Sequence, residues 1–207
     1  KIGPDAHKLL NANENTRTGH KLMDLIKSKI TGSNVNIAIV GAGPSLDIYF
    51  ETLSSNRDKF YIITVGTGLS SLLEMGITPN LHLELEYKHL VYSLLKSVNS
   101  RHKLSEIDLI CTYEAHPKIL KFFKSTRMFI PETSELSDLI PRKYILEKGG
   151  VNCANAALSL VRKLTSGAIY LFGIDLAFTG NYHHSKHNIS QRANLPENLQ
   201  LLKEENT

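Results

Sequence analysis

The sequence predicts an α/β fold in which helices flank a mostly parallel sheet. Two observations predict it. Short apolar runs with a β-branched bias, at residues 37–40, 61–65, 107–112, 127–130 and 168–172, alternate with segments of helical periodicity. The first two runs end on Gly41-Ala42-Gly43 and Gly66-Thr67-Gly68, where glycine lets a strand turn sharply into a helix.

The elements follow in order. Residues 1–19 are polar and Asn-rich and read as a leader or connector with little structure of its own. Residues 20–30 carry Leu22, Met23, Ile26 and Ile30 on one face and predict an amphipathic helix, which Thr31-Gly32-Ser33 ends. A strand at 36–40 leads into a helix from about Ser45 to Leu53, with Pro44 and Ser45 suited to its first positions. A strand at 61–65 and a helix through Met75 follow, and Gly76-Ile77-Thr78-Pro79 breaks that helix. Leu81-His82-Leu83-Glu84-Leu85-Glu86 alternates strictly, as a half-buried strand does. Residues 90–98 predict a helix, 107–112 a strand, 117–124 a helix and 127–130 a short strand. Residues 131–148 hold two prolines and form the one long irregular stretch, of the kind often used as a lid or substrate loop. Gly149-Gly150 opens a helix through about Leu164, its small residues allowing close packing, and residues 168–172 form the last core strand.

A chain of 207 residues supports one large α/β domain or at most two small ones. The boundaries read as a connector and helix over 1–33, a Rossmann-like domain over 34–187 and a tail over 188–207. Its 42% hydrophobic and 21% charged content is ordinary for a soluble globular protein, and no apolar run approaches the ~18 residues of a membrane span. The first residues have no signal-peptide shape and no initiator Met, as in a piece of a longer polypeptide. Two separated cysteines, Cys111 and Cys153, make neither a disulfide framework nor a zinc site, which fits a reducing, cytoplasmic setting. The net charge of +4 suits an anionic small molecule. Lys118, Lys121, Lys124 and Arg127 recur at helical spacing and read as a solvated helix face, not a nucleic-acid surface.

The stretch Ile37 to Asp47 carries the first chemical signal. A strand, a glycine turn (Gly41, Ala42, Gly43) and a helix start (Pro44, Ser45) together expose backbone N–H groups and a positive helix end, which bind phosphate. A tight βα turn is the simpler alternative. Leu46 stands where the dinucleotide fingerprint needs glycine, and no P-loop exists in the chain. Two further elements converge on the same sheet edge: Gly66 and Thr67 with Glu84 and Glu86, and Gly150, Asn152 and Asn155 with Asp175. Asn152 and Asn155 fall where a helix's first turns can meet an anion or a ribose. Glu84 and Glu86 share a strand face, so they either hold a ligand or cation together or form an exposed edge. The cluster His183-His184-Ser185-Lys186-His187 offers a general base, a metal ligand or a polar loop.

These residues carry a resemblance. Ile39-Val40-Gly41-Ala42-Gly43-Pro44-Ser45-Leu46-Asp47, Gly76-Ile77-Thr78-Pro79-Asn80, Glu84-Leu85-Glu86, Gly149-Gly150-Val151-Asn152-Cys153-Ala154-Asn155 and Ile169-Tyr170-Leu171-Phe172-Gly173-Ile174-Asp175 resemble, in the same order, the motility accessory factor (Maf) family. The resemblance spans about residues 35–187. It implies transfer of a nonulosonic acid, such as pseudaminic or legionaminic acid, from a CMP donor to Ser or Thr of flagellin. The same motifs are similar to bacterial sialyltransferases, in which the first motif and the small residues before the late helix hold CMP. There a His-Ser-Lys histidine is the catalytic base, a role that falls on His184. No prosthetic group is implied; magnesium is an optional addition. The alternative implied by a related branch is a hydroxymethylpterin pyrophosphokinase using ATP and magnesium. A third reading is a non-catalytic nucleotide-binding module.

Overall fold

The computed structural model describes residues 3–25, 34–149, 152–177 and 183–189. Seven parallel strands form one sheet in the order β6-β5-β4-β3-β2-β1-β7. They are β1 (Ile37–Val40), β2 (Tyr61–Val65), β3 (Leu81–Glu84), β4 (Asp108–Thr112), β5 (Ser125–Pro131), β6 (Ile145–Leu146) and β7 (Ile169–Phe172). The helices are α1 (Pro4–Arg17), α2 (Ser45–Ser55), α3 (Gly68–Glu74), α4 (His89–Asn99) and α5 (Cys153–Leu164). From β1 the sheet grows one strand at a time to β6; the chain then returns through α5 and adds β7 on the other side of β1. That reversal beside β1 is where open α/β sheets collect ligands.

The period-two alternation of each strand divides the core. Ile37 and Ile39 of β1, Ile63 and Val65 of β2, and Leu81 and Leu83 of β3 meet Ala156, Ala157, Leu160 and Val161 of α5. Ala38, Val40 and Ile62 turn the other way and pack on Leu46 and Leu53 of α2 and Leu72 of α3. A further cluster joins Leu69 and Leu73 of α3, Val91 and Leu95 of α4 and Leu109 of β4. Because both faces are covered, the strand runs are continuously apolar, as parallel strands require.

Five expectations are corrected. Residues 4–17, read as an unstructured connector, form α1. Its apolar periodicity is weak because polar contacts dock it: Asn11 Nδ2 donates to the carbonyls of Tyr87 and Glu114 (both 3.0 Å), and Asn15 Nδ2 to those of Tyr113 (2.8 Å) and Ala115 (3.0 Å). Residues 20–25, read as the start of a helix, are extended: Met23 N–H donates to Met128 O of β5 and Leu25 N–H to Lys143 O, so distant carbonyls replace helical ones. Residues 26–33 lie outside the described residues. The run Lys118 to Arg127 is not one helix face, for a 3-10 helix stops at Phe122 and Arg127 lies in β5. Residues 131–148, read as one long irregular stretch, hold two 3-10 helices, Ser137–Leu139 and Arg142–Tyr144, and β6, which extends the sheet at the edge opposite β7. β7 itself is an outer strand, with Tyr170 and Leu171 exposed.

β3 also differs from the half-buried strand expected. It lies between β2 and β4, so His82 and Glu84 are both enclosed, at 0% and 3% exposure.

Candidate functional site

Two loops meet at the reversal point. Gly41 N–H donates to Phe172 O (2.8 Å), and Gly43 N–H to Gly173 O (2.7 Å), extending the β1–β7 ladder past the strands. The loops touch so closely that a Cβ on Gly41 would stand 2.5 Å from Gly173 O, and one on Gly43 2.4 Å from Asp175 Oδ2. Gly173 needs its glycine twice over, with φ +61° and Gly41 O only 2.7 Å from where a Cβ would sit.

This contact corrects the expected phosphate cradle. Asp175 accepts hydrogen bonds from Ser45 Oγ and from Ser45 N–H (2.9 Å), so its carboxylate occupies the positive end of α2. Leu46 N–H donates to Gly43 O and Asp47 N–H to Pro44 O, both 3.1 Å. The N–H groups of Gly41, Gly43, Ser45, Leu46 and Asp47 are thus used by the chain, and Pro44 and Ser45 serve the loop junction.

A cavity of about 340 Å³ opens beside that junction. Gly41, Ala42, Gly43, Thr67, Asn152, Asp175, His183 and His184 are among the residues that line it. Asn152 caps α5, its side chain accepting Asn155 N–H at 2.8 Å, and Asn152 and Ala154 bring the first turn of α5 to the cavity. The structure therefore gathers Gly41, Ala42, Gly43, Thr67, Asn152, Asp175 and His184 of the predicted set. Asn155 is exposed and lines a separate outer groove with Glu147 and Arg162, one turn of α5 away from the cleft face. Gly150 lies outside the described residues.

His184 reaches the cavity because its segment is fastened from two sides. Asp47 on α2 accepts Ser185 Oγ–H (2.5 Å) and Lys186 N–H (2.9 Å), while Ser185 N–H donates to Ala42 O (2.7 Å). Beyond it, Asn188 Nδ2 donates to Thr67 O and Ser71 Oγ, both 3.1 Å, and Ile189 N–H to Ser70 Oγ (3.3 Å). Sequence reasoning quoted Asp47 in the first motif without giving it a role. The available signal was Ser185, a hydroxyl directly after His184 that a nearby carboxylate could hold.

Gly66, Glu84 and Glu86 belong to a second cavity, of about 280 Å³, between α3 and α4; Thr67 lines both cavities. Glu84 Oε1 accepts the N–H groups of Leu85 and Glu86 (both 2.9 Å) and the Cys153 thiol at 3.7 Å. Glu86 Oε1 accepts those of Tyr87 (3.0 Å) and Lys88 (3.3 Å). His82 Nε2 stands 3.6 Å from Glu84 Oε2, within ion-pair range but too long for a hydrogen bond, and its Nδ1 is 3.2 Å from Thr64 Oγ1. Burial, and then the Glu84 charge, push the Cys153 thiol far up, so it stays protonated and is no nucleophile despite starting α5. Among the described residues no group of three or more His, Cys, Asp or Glu is arranged to hold a metal ion, and no helix is long and apolar enough to cross a membrane.

Comparison with known proteins adds to this geometry. A solved structure of the Maf glycosyltransferase from Magnetospirillum magneticum AMB-1 is similar, with a TM-score of 0.74 and 22% identity. The likeness covers 87% of this chain but 29% of that protein, so the chain spans less than a third of it, and at such identity the likeness is one of fold. Among curated proteins none matches the chain. The family described as 6-hydroxymethylpterin diphosphokinase MptE-like matches residues 7–181, from α1 to past Asp175. The match takes in every described strand, and the chain belongs to that MptE-like family.

Proposed function

We propose that this chain is the nucleotide-sugar-binding and catalytic part of a glycosyltransferase that moves a nonulosonic acid from a CMP donor to Ser or Thr of flagellin. The observation that carries the reading is His184 lining one cavity with the Gly41-Ala42-Gly43 turn and Thr67. The fold likeness to the Maf glycosyltransferase of Magnetospirillum supports it.

In this reading the donor lies in the 340 Å³ cavity, with its phosphate toward the first turn of α5 and Asn152. The α2 end is taken by Asp175, while Asn152 and Ala154 bring the first turn of α5 to the cleft. His184 takes the proton of the acceptor hydroxyl as its oxygen bonds to C2 of the sugar. The C2–O bond to phosphate breaks, and CMP leaves with the electron pair. General-base help of this kind is worth ~10²–10⁴-fold in rate. A cytoplasmic setting, with Cys111 and Cys153 both free thiols, agrees with the reading.

The family match favours a second reading, diphosphate transfer from ATP to a pterin alcohol. The cleft's Asp175 would then share magnesium with the phosphates, as Mg²⁺ sites commonly do with one or two carboxylates. The discriminating experiment is transfer to flagellin by the protein carrying His184→Ala, beside His183→Ala and His187→Ala. The proposal expects turnover to fall at least 100-fold in His184→Ala alone, with CMP binding kept. Near-normal turnover in His184→Ala removes it from the mechanism.

A further inference from the structure

The second cavity is not explained by donor binding. Its walls are Leu69 of α3, Val91, Leu94 and Leu95 of α4, and Ile189, while Glu84, Glu86 and Lys88 stand at its polar end. The two cavities share Thr67 as a wall residue. The segment 183–189 builds both: His184 lines one cavity, Ile189 the other, and Asn188 between them is tied to Thr67 O. A group transferase needs two adjoining sites whose reacting ends meet at the catalytic base, and this arrangement supplies two.

We propose that the cavity between α3 and α4 is the acceptor subsite, and that it takes an aliphatic side chain next to the Ser or Thr that is modified. This inference rests on the glycosyltransferase reading and names the acceptor sequence that reading leaves open. About 280 Å³ of mainly apolar space suits one large aliphatic side chain with room for its backbone. Burying such a side chain is worth about 1.5–3 kcal/mol, which corresponds to roughly 10–150-fold in affinity. Two carboxylates against the one ammonium of Lys88 give the polar end a net negative sign. Glu84 and Glu86 are each held by two backbone N–H groups, so they cannot swing away from an incoming anion. They accept peptide N–H groups or a positive side chain and repel an acidic one, which excludes Asp or Glu beside the acceptor hydroxyl.

The test measures binding of two peptides, Ac-Gly-Leu-Ser-Gly-Gly-amide and its Asp-Ser analogue, by the protein and by Leu94→Glu. Leu94 is half-buried on α4, so the substitution puts a carboxylate in the wall without emptying the core. Affinity for the Leu-Ser peptide should exceed that for the Asp-Ser peptide at least tenfold, and Leu94→Glu should lose at least tenfold for the Leu-Ser peptide. Leu94→Met should keep it, and CMP affinity should stay within twofold in both variants. Equal affinity for the two peptides, or undiminished binding of the Leu-Ser peptide by a folded Leu94→Glu, overturns the proposal. Failure of CMP to bind the unaltered protein would sink the donor reading, yet the peptide arms would still report on the pocket by themselves.

Discussion

Asp47→Ala is the perturbation that best separates the site from the fold. Asp47 lies on the half-exposed face of α2, and its carboxylate holds Ser185 Oγ at 2.5 Å and Lys186 N at 2.9 Å. Hydrogen bonds to a charged acceptor are worth about 1.5–3 kcal/mol each when enclosed. Solvent around Asp47 and the surviving Ser185 N–H bond to Ala42 reduce the pair to about 2 kcal/mol. At about 1.4 kcal/mol per factor of ten, that is a roughly 30-fold more frequent release of residues 183–189. Amide hydrogen exchange reads this directly. The Ser185 and Lys186 amides should exchange about 30-fold faster in Asp47→Ala, while those of Ile39 and Ile63 in the central sheet keep their protection. Transfer should fall by a similar factor as His184 loses its place, with CMP affinity little changed. Exchange at Ser185 within threefold of the unaltered protein would mean that Asp47 is not what holds the segment.

Three more outcomes follow from the same contacts. Gly43→Ala should cost about 1–3 kcal/mol of stability and weaken CMP binding, since its Cβ would meet Asp175 Oδ2 at 2.4 Å and Gly173 O at 2.9 Å; an unshifted thermal midpoint would contradict this. Asn15→Ala should cost about 2 kcal/mol in urea unfolding, because two enclosed carbonyls lose their donor; a connector without tertiary contacts would show no change. The third outcome is acid sensitivity at His116, whose pKa is lowered first by burial and then by the His89 ring. The folded state thus favours neutral His116, so its stability is complete above the unfolded value of about 6.5 and declines as pH falls below it. His116→Asn keeps an acceptor for Lys118 N–H and should flatten the loss of thermal midpoint between pH 7.5 and 5.5; an unchanged slope would place the acid sensitivity elsewhere.

The parallel sheet was readable because buried strands with β-branched runs leave a strong local signal, and residues 37–40, 61–65 and 108–112 emerge where the pattern puts them. α1 was not readable. Its docking runs through Asn11 and Asn15 to backbone carbonyls up to 103 residues away, and such bonds leave no periodicity in the sequence. The site was legible as a neighbourhood: a glycine turn after β1, a capped α5 and a histidine after β7 all had to reach one sheet edge. What the sequence could not show is how the donors are spent. Asp175 follows β7 and Ser45 follows β1, 130 residues apart, and only their adjacency in the sheet puts the carboxylate on the α2 end. For the same reason Asn155 and Asn152 look equivalent in sequence, while the helix turns Asn155 to an outer groove.

Calorimetric titration of the protein with CMP, and separately with ATP and magnesium, separates a CMP-sugar site from an ATP site. CMP should bind saturably and more tightly than ATP, and Asn152→Asp should weaken it by placing a negative charge where the donor phosphate lies. ATP binding more tightly than CMP, or CMP affinity unmoved by Asn152→Asp, would contradict a CMP-sugar site.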